Sequence, residues 1–444
     1  MFWRAPTVPL ADQPGGTLAH LHGFRHHPLE MFLRAGRQQE PLVRFRLGPM
    51  WVLGVYDPDL IETVLIANPE VFAKATRGQR LLRVLLGDSM LTTEGTIWRE
   101  RRRLGQPHFK RAALERYRPV MRSAARAMAE RLAAADGTVV GVADEMMALT
   151  LRIATEALFG GALGEASTEV HEALAEVLDA YMWMITMPVP SPERWPVGAT
   201  RRFRRSQRKL FQVVDQVIAR RRADPSPGDD LLGDWLAAGL TDEDLRSEVV
   251  TMLLAAHETT ANLLSWTLGL LSRHPDARRR LERELDGRDR DSPVQLADLP
   301  CLQGVLLESL RILPPVWMLS RSTTTGIELG GHQLQPNTFV FICTHAIHRD
   351  PRLWPNPEGF DPARWAGGAR PLHRAAFLPF GAGQRRCIGE QFAMIEAAEI
   401  LAALLPAVRL DLVPGTSLTP KASVTLRPEG PLPMQIHTRR SSVG

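Results

Sequence analysis

Cysteine is scarce in these 444 residues: Cys301, Cys343 and Cys387 are the three, odd in number and far apart. That argues against a disulfide framework and for a reducing compartment, so a cytoplasmic protein is expected. Lysine is nearly missing too. Lys74, Lys110, Lys209 and Lys421 are the four, and the formal net charge of +5 is carried by arginine. Arginine without interleaved aromatics is weak evidence for nucleic acid, and none is expected; a basic patch that docks an acidic protein fits at least as well. The opening MFWRAPTVPLADQPGG has no apolar core of signal-peptide length. The long apolar run 249–271 carries His257, Glu258 and Asn262 in its middle, so it reads as a buried helix and no transmembrane segment is expected. No linker divides the chain, and 44% hydrophobic content can build a large core. A single domain is expected over 25–444, behind a weakly structured extension over 1–24.

Most of the apolar spacing is helical. Exceptions are VRFRLGPMWVLGV at 43–55, which reads as two strands joined at Gly48-Pro49, and 327–341, a hairpin through Gly330-Gly331. The fold class is therefore mainly α with small β-sheets. A helix should follow Asp57-Pro58, and 77–93 reads as a mixed loop. Tyr181 to Trp195, YMWMITMPVPSPERW, ends a helix near Met187 and continues as a proline-rich loop; 222–230 is a turn-rich connection. Thr241 and Asp244 make a cap for the long helix.

The most informative stretch is Phe380 to Gly389, FGAGQRRCIG. Glycines 381, 383 and 389 permit a tight turn whose backbone can approach a flat ligand closely. Arg385, Arg386 and a helix N-terminus near Gly389 should lower the thiol pKa of Cys387. A thiolate with amides turned to its sulfur suits haem iron as axial ligand; a buried structural cysteine in a glycine-rich turn is the plainer alternative. Elsewhere Trp98 and Arg102 stand four apart on one helix face, as Glu308 and Arg311 stand three apart. Ala255-Ala256 lets the long helix lie close to a flat cofactor, and the Thr259 hydroxyl can bond back to the Ala255 carbonyl.

FGAGQRRCIG meets every fixed position of F-x-x-G-x-R-x-C-x-G and resembles the haem-binding loop of the cytochrome P450 family; the resemblance extends from about residue 25 to the end. It implies a single-domain P450 fold holding haem b, with Cys387 as iron ligand and Phe380, Gly381, Arg385 and Gly389 around it. Trp98, Arg102 and Arg321 would face the haem propionates and Ala255 its plane. Glu258 and Thr259 would form the acid–alcohol pair that delivers protons, with Ala256 where the family has glycine. Glu308, Arg311 and Arg364 would form a buried network behind the haem. His348-Arg349-Asp350-Pro351 matches a family turn, which removes His345 and His348 as a metal site. Met184, Met187, Val316, Trp317, Met318 and Val424 are candidate pocket residues, with the 181–195 segment as a lid over a large apolar substrate.

The resemblance implies a monooxygenase inserting one atom of O2 into a C–H bond. With no flavin or nicotinamide signature and no length left for a reductase, electrons would come from a separate ferredoxin or flavodoxin, docking near Arg99, Arg103 and Arg386. Segments 145–160, 314–321 and 424–433 are most similar to bacterial carotenoid-ring hydroxylases, so a carotenoid is the expected substrate, with terpenoid and fatty acid as alternatives. Peripheral membrane contact would then serve substrate access. A peroxygenase, or a haem carrier or sensor without turnover, are rival readings that an acid–alcohol relay disfavours.

Overall fold

A computed structural model describes residues 8–12, 16–161, 167–187, 191–195, 197–224 and 230–439. Pro188 and Pro190 of the expected lid, Pro196 just beyond it, the centre of the 222–230 connection and the first seven residues lie outside the described residues.

The long helix, Asp242–Arg273, is the axis of the fold. The Thr241 hydroxyl caps it by accepting from the Asp244 N–H at 3.2 Å, as the sequence places it. From Leu245 to Leu271 nearly every side chain is buried, because helices pack on all its sides: Val142–Phe159, Gly198–Ala223, Pro300–Ile312 and Glu390–Leu404 among them. One large apolar core surrounds it. No described helix is long and apolar enough to cross a membrane.

A second core lies under a five-stranded sheet in the order Leu42–Leu47, Met50–Val55, Phe339–Ile342, Leu319–Thr323, Phe72–Ala73. The first two strands turn at Gly48, whose φ is +62°, the region that favours glycine. The returning strand pairs parallel, Val52 opposite Phe339. Of the hairpin expected over 327–341, only Ile327–Leu329 against His332–Leu334 forms, while Phe339–Ile342 joins the five-stranded sheet instead; a C-terminal hairpin, Pro420–Ala422 against Leu426–Pro428, reaches the long helix.

Two further expectations fail here. Residues 77–93 are not a loop throughout: Arg77–Leu86 is a helix, started by the Thr76 hydroxyl accepting from Gln79 N–H. Leu81, Leu82, Leu85 and Leu86 share its buried face, which is the i, i+1, i+4, i+5 stripe of an amphipathic helix. Nor do the described residues of the expected 1–24 extension stand apart. A helix over Gly16–His26 runs through the expected boundary, Val8 and Ala11 are buried, and His20 donates from Nε2 to the Ala11 carbonyl and accepts at Nδ1 from the Arg46 N–H.

Candidate active site

Cys387 sits at the end of a loop held by its own backbone. Its N–H donates to the Phe380 carbonyl at 2.9 Å, and Arg386 N–H donates to Gly383 at 3.1 Å. Gly381 and Gly383 have φ of +69° and +70°. A Cβ at Gly383 would lie 2.1 Å from the Leu65 carbonyl oxygen, so only glycine fits. The helix Glu390–Leu404 begins directly after Gly389, whose N–H points to the Cys387 sulfur.

The sulfur opens into a cavity of about 460 Å3 between this loop and the long helix. Phe380, Gly381, Cys387, Gly389 and Phe392 line one wall, and Ala255, Ala256, Glu258 and Thr259 the other. Ala255 is exposed in the middle of an otherwise buried helix and lines the cavity, so only a methyl group projects from the helix there. The Thr259 hydroxyl donates to the Ala255 carbonyl at 2.9 Å, the expected back-bond, and the helix runs through it unbroken.

At one edge of the cavity four cations converge: Lys74, Arg102, Arg321 and Arg385 all line it. Glu94 is the carboxylate among them, paired with Arg385 and accepting from the Lys74 N–H. Burial and mutual repulsion push Lys74 down to about 7 and Arg321 down to about 10. Arg385 Nη1 is buried without a hydrogen-bond partner. A cluster that positive, with an orphaned donor, fits a ligand bearing carboxylates. Lys74 was not legible as a site residue: in the sequence it is a lone lysine, and the charges around it come from three other segments, Glu94 to Arg102, Arg321 and Arg385.

Cys387 differs from expectation. Although it faces the cavity, protein encloses it, and burial pushes its thiol up to about 11 against the pull of the Gly389 amide, Arg102 and Arg386. The neighbouring arginines alone do not make a thiolate; a metal cation on the sulfur would.

Behind the loop, Glu308 and Arg311 are fully buried and paired at 2.8 and 3.0 Å. Arg364 joins Glu308 at 3.4 Å, and Trp365 Nε1 donates to it at 2.9 Å. Arg311 also donates to the carbonyls of His348, Pro357 and Gly359. The network thus ties the helix Pro300–Ile312 to the segments that lead to the cysteine loop. His348 accepts from the Leu378 N–H at 2.8 Å, one residue before Pro379, which gives it a structural task.

The pocket candidates divide. Val316, Trp317, Met318 and Val424 line the cavity; Met184 and Met187 do not. Tyr181, Met182 and Ile185 of the same helix, Ser167–Thr186, do so instead. Met184 falls about 100° round the helix from their mean direction and packs into the core. Met187 lies past the helix end, where its carbonyl accepts from Arg77.

The Cytochrome P450 family model matches residues 13–434. The chain belongs to the cytochrome P450 family. It is 36% identical to cyclooctat-9-en-7-ol 5-monooxygenase of Streptomyces melanosporofaciens, over 98% of this chain and 96% of that one. It is 31% identical to pentalenene oxygenase of Streptomyces avermitilis, over 95% of each. Among solved structures it is similar to the heme domain of cytochrome P450DA, with TM-score 0.86, 29% identity and 98% of both chains covered. A second similar structure is CYP175A1 from Thermus thermophilus, with TM-score 0.79, 29% identity, and 97% and 100% covered.

Haem is therefore the cofactor of this cytochrome P450, and the residues present fit it. Cys387 would offer the sulfur, the cation cluster the counter-charge for propionates, and Ala255 and Ala256 a wall of small side chains. The bound haem supplies dioxygen activation. The chain's own part would be to keep bulk water out with its apolar walls and to place an acid, Glu258, and an alcohol, Thr259, on the long-helix side of the cavity that Cys387 also lines.

Proposed function

We propose that this cytochrome P450 monooxygenase hydroxylates a compact cyclic terpenoid, with Glu258 and Thr259 handling the protons and Cys387 holding the iron. The observation that carries the substrate reading is the set of cavity-lining side chains Leu82, Met182, Ile185, Leu254, Val316 and Val424, aliphatic or thioether throughout. Such a lining recognises shape and apolar area, not a polar group. The cavity must hold the porphyrin as well as the substrate, which favours a fused ring system over the extended carotenoid expected from sequence. The names of the two Streptomyces relatives, both acting on terpene skeletons, support the same reading. The test is titration of the ferric protein with a diterpene alcohol, a sesquiterpene, β-carotene and a long-chain fatty acid, followed by product analysis. A saturable low- to high-spin Soret shift with the cyclic terpenoids and a hydroxylated product are expected. A shift confined to β-carotene or to the fatty acid would reject the terpenoid reading.

For the electron donor we propose an acidic ferredoxin-type protein over the face that carries Arg99 and Arg103. Both are exposed, on the helix Gly95–Gly105 beside Arg102. Arg386 contributes less net charge than expected, because Glu390 pairs its Nε and Nη2, each at 2.6 Å. Reversing Arg99 and Arg103 to glutamate should slow reduction at low salt and flatten its salt dependence.

A further inference from the structure

Glu258 does not stand free beside Thr259. Its Oε1 accepts from the hydroxyl of Thr425 at 2.6 Å, a residue 167 positions away in the turn of the C-terminal hairpin. The same hydroxyl oxygen accepts from Asn262 Nδ2 at 3.0 Å. Glu258 and Asn262 are one helical turn apart on the long helix, so Thr425 bridges two rungs of it. All three side chains are buried. A hydroxyl has one proton. With Asn262 donating to the oxygen, that proton is directed at Glu258, and the polarity of the chain is set. Glu258 Oε2 is buried and left without a partner. One carboxylate oxygen is therefore clamped while the other is left unpartnered, in a residue that lines the cavity.

The turn that supplies Thr425 is itself held. Trp317 Nε1 donates to the Ser423 carbonyl at 2.9 Å, Trp266 Nε1 donates to the Leu426 carbonyl at 2.9 Å, and Leu426 N–H donates to the Pro315 carbonyl at 2.8 Å. Ser423, Val424 and Thr425 all line the cavity. The strand that follows carries Arg427, which pairs with Asp179 of the helix Ser167–Thr186 at 2.7 Å. Arg427 and Asp179 are the charged groups that act on Glu258, the first drawing its titration down and the second pushing it up, beneath a larger upward push from burial.

We infer that Thr425, polarised by Asn262, is a positioning residue for the Glu258 carboxylate and ties proton handling to the turn that contacts substrate through Val424. The inference rests on the monooxygenase reading in which Glu258 handles protons. Because Thr425 belongs to the same turn as Val424, a substrate that displaces the turn also moves the carboxylate clamp.

The test uses the haem-loaded protein with Thr425→Val, Thr425→Ser and Glu258→Gln. Infrared difference spectra across pH, with Glu258→Gln identifying the band, follow the Glu258 carboxyl directly. Thr425→Val should move its titration to higher pH, because a donor to the charged form is lost. Product formed per electron pair should fall about tenfold, the weight of one hydrogen bond to a charged group, with the substrate Soret shift retained. Thr425→Ser should restore both. An unmoved carboxyl band in Thr425→Val would overturn the inference, as would failure of Thr425→Ser to restore it. If Glu258→Gln leaves product yield and its pH profile unchanged, the proton role of Glu258 fails instead, while the infrared shift still reports on the clamp.

Discussion

The guanidinium of Arg385 lies over the indole of Trp98, its central carbon 3.9 Å from the ring centroid. Arg385 also donates to the Thr93 carbonyl at 2.8 Å and pairs with Glu94, yet Nη1 stays unpartnered. Trp98 thus acts as a platform that aims the arginine into the cavity, a geometry worth about 1–2 kcal/mol. Arg385→Ala and Trp98→Ala should both reduce the haem content of the purified protein, the first more strongly because it also removes a charge. Haem per polypeptide, measured by pyridine haemochrome, checks this. Full occupancy in both variants would refute the assignment.

Glu308 receives donors from Arg311, Arg364, Trp365 and the Asp361 N–H. Glu308→Ala would leave Arg311 buried and unpaired, at a cost of about 3–5 kcal/mol. Arg364→Ala should cost less, because that side chain keeps some solvent contact and its bond is the longest at 3.4 Å. Denaturant unfolding followed by Soret loss should rank the variants in that order; equal stabilities would contradict the network.

Removing the Thr259 hydroxyl takes away the alcohol next to Glu258 on the long helix while leaving the Thr425 bond to Glu258 in place. Thr259→Ala should lower product formation roughly a hundredfold, with peroxide rising in its place and substrate affinity unchanged. Simultaneous product and peroxide assays decide it. A variant that keeps normal product yield would place proton delivery elsewhere.

Glu248 is buried on the long helix and accepts from the Met90 N–H at 2.8 Å, with Arg101 at 3.8 Å. Burial outweighs both and pushes its carboxyl up from 4.5 to about 7. Between those values the folded protein keeps a proton that the unfolded chain has lost. Stability from this group is therefore fully present below 4.5 and is lost as pH rises through about 7, a total of about 3 kcal/mol. Glu248→Gln should flatten the stability curve over that window relative to the parent. Parallel curves would show that Glu248 titrates normally.

Arg77 fastens the lid helix: Nη2 donates to the Met184 carbonyl at 3.2 Å and to Met187 at 2.6 Å, and Tyr181 donates to the Gly78 carbonyl beside it. Arg77→Ala should speed both association and release of a Soret-shifting ligand, with the equilibrium constant changed less than either rate. Stopped-flow absorbance measures all three. Unaltered rates would mean that this contact does not gate entry.

Much of the site was legible because its chemistry is local. The turn at Gly383, the sulfur of Cys387 and the helix after Gly389 occupy one short segment, and glycines that must adopt positive φ declare themselves in the sequence. The Glu308–Arg311 pair and the Thr259 back-bond follow from helical spacing alone. Met184 was misassigned because a run rich in methionine has no clear phase until its neighbours are known. The helix over 77–86 was missed because arginines and glycine mask its leucine stripe.

The sequence by itself determined the family, the cysteine loop, the long helix with its cap and the carboxylate–arginine pair, since each depends on residues a few positions apart. Tertiary structure alone decided which cations meet at the cavity edge, that burial outweighs the arginines around Cys387, and that Thr425 grips Glu258 across 167 residues. Those outcomes depend on desolvation and on contacts between distant segments, and neither quantity exists until the chain has packed.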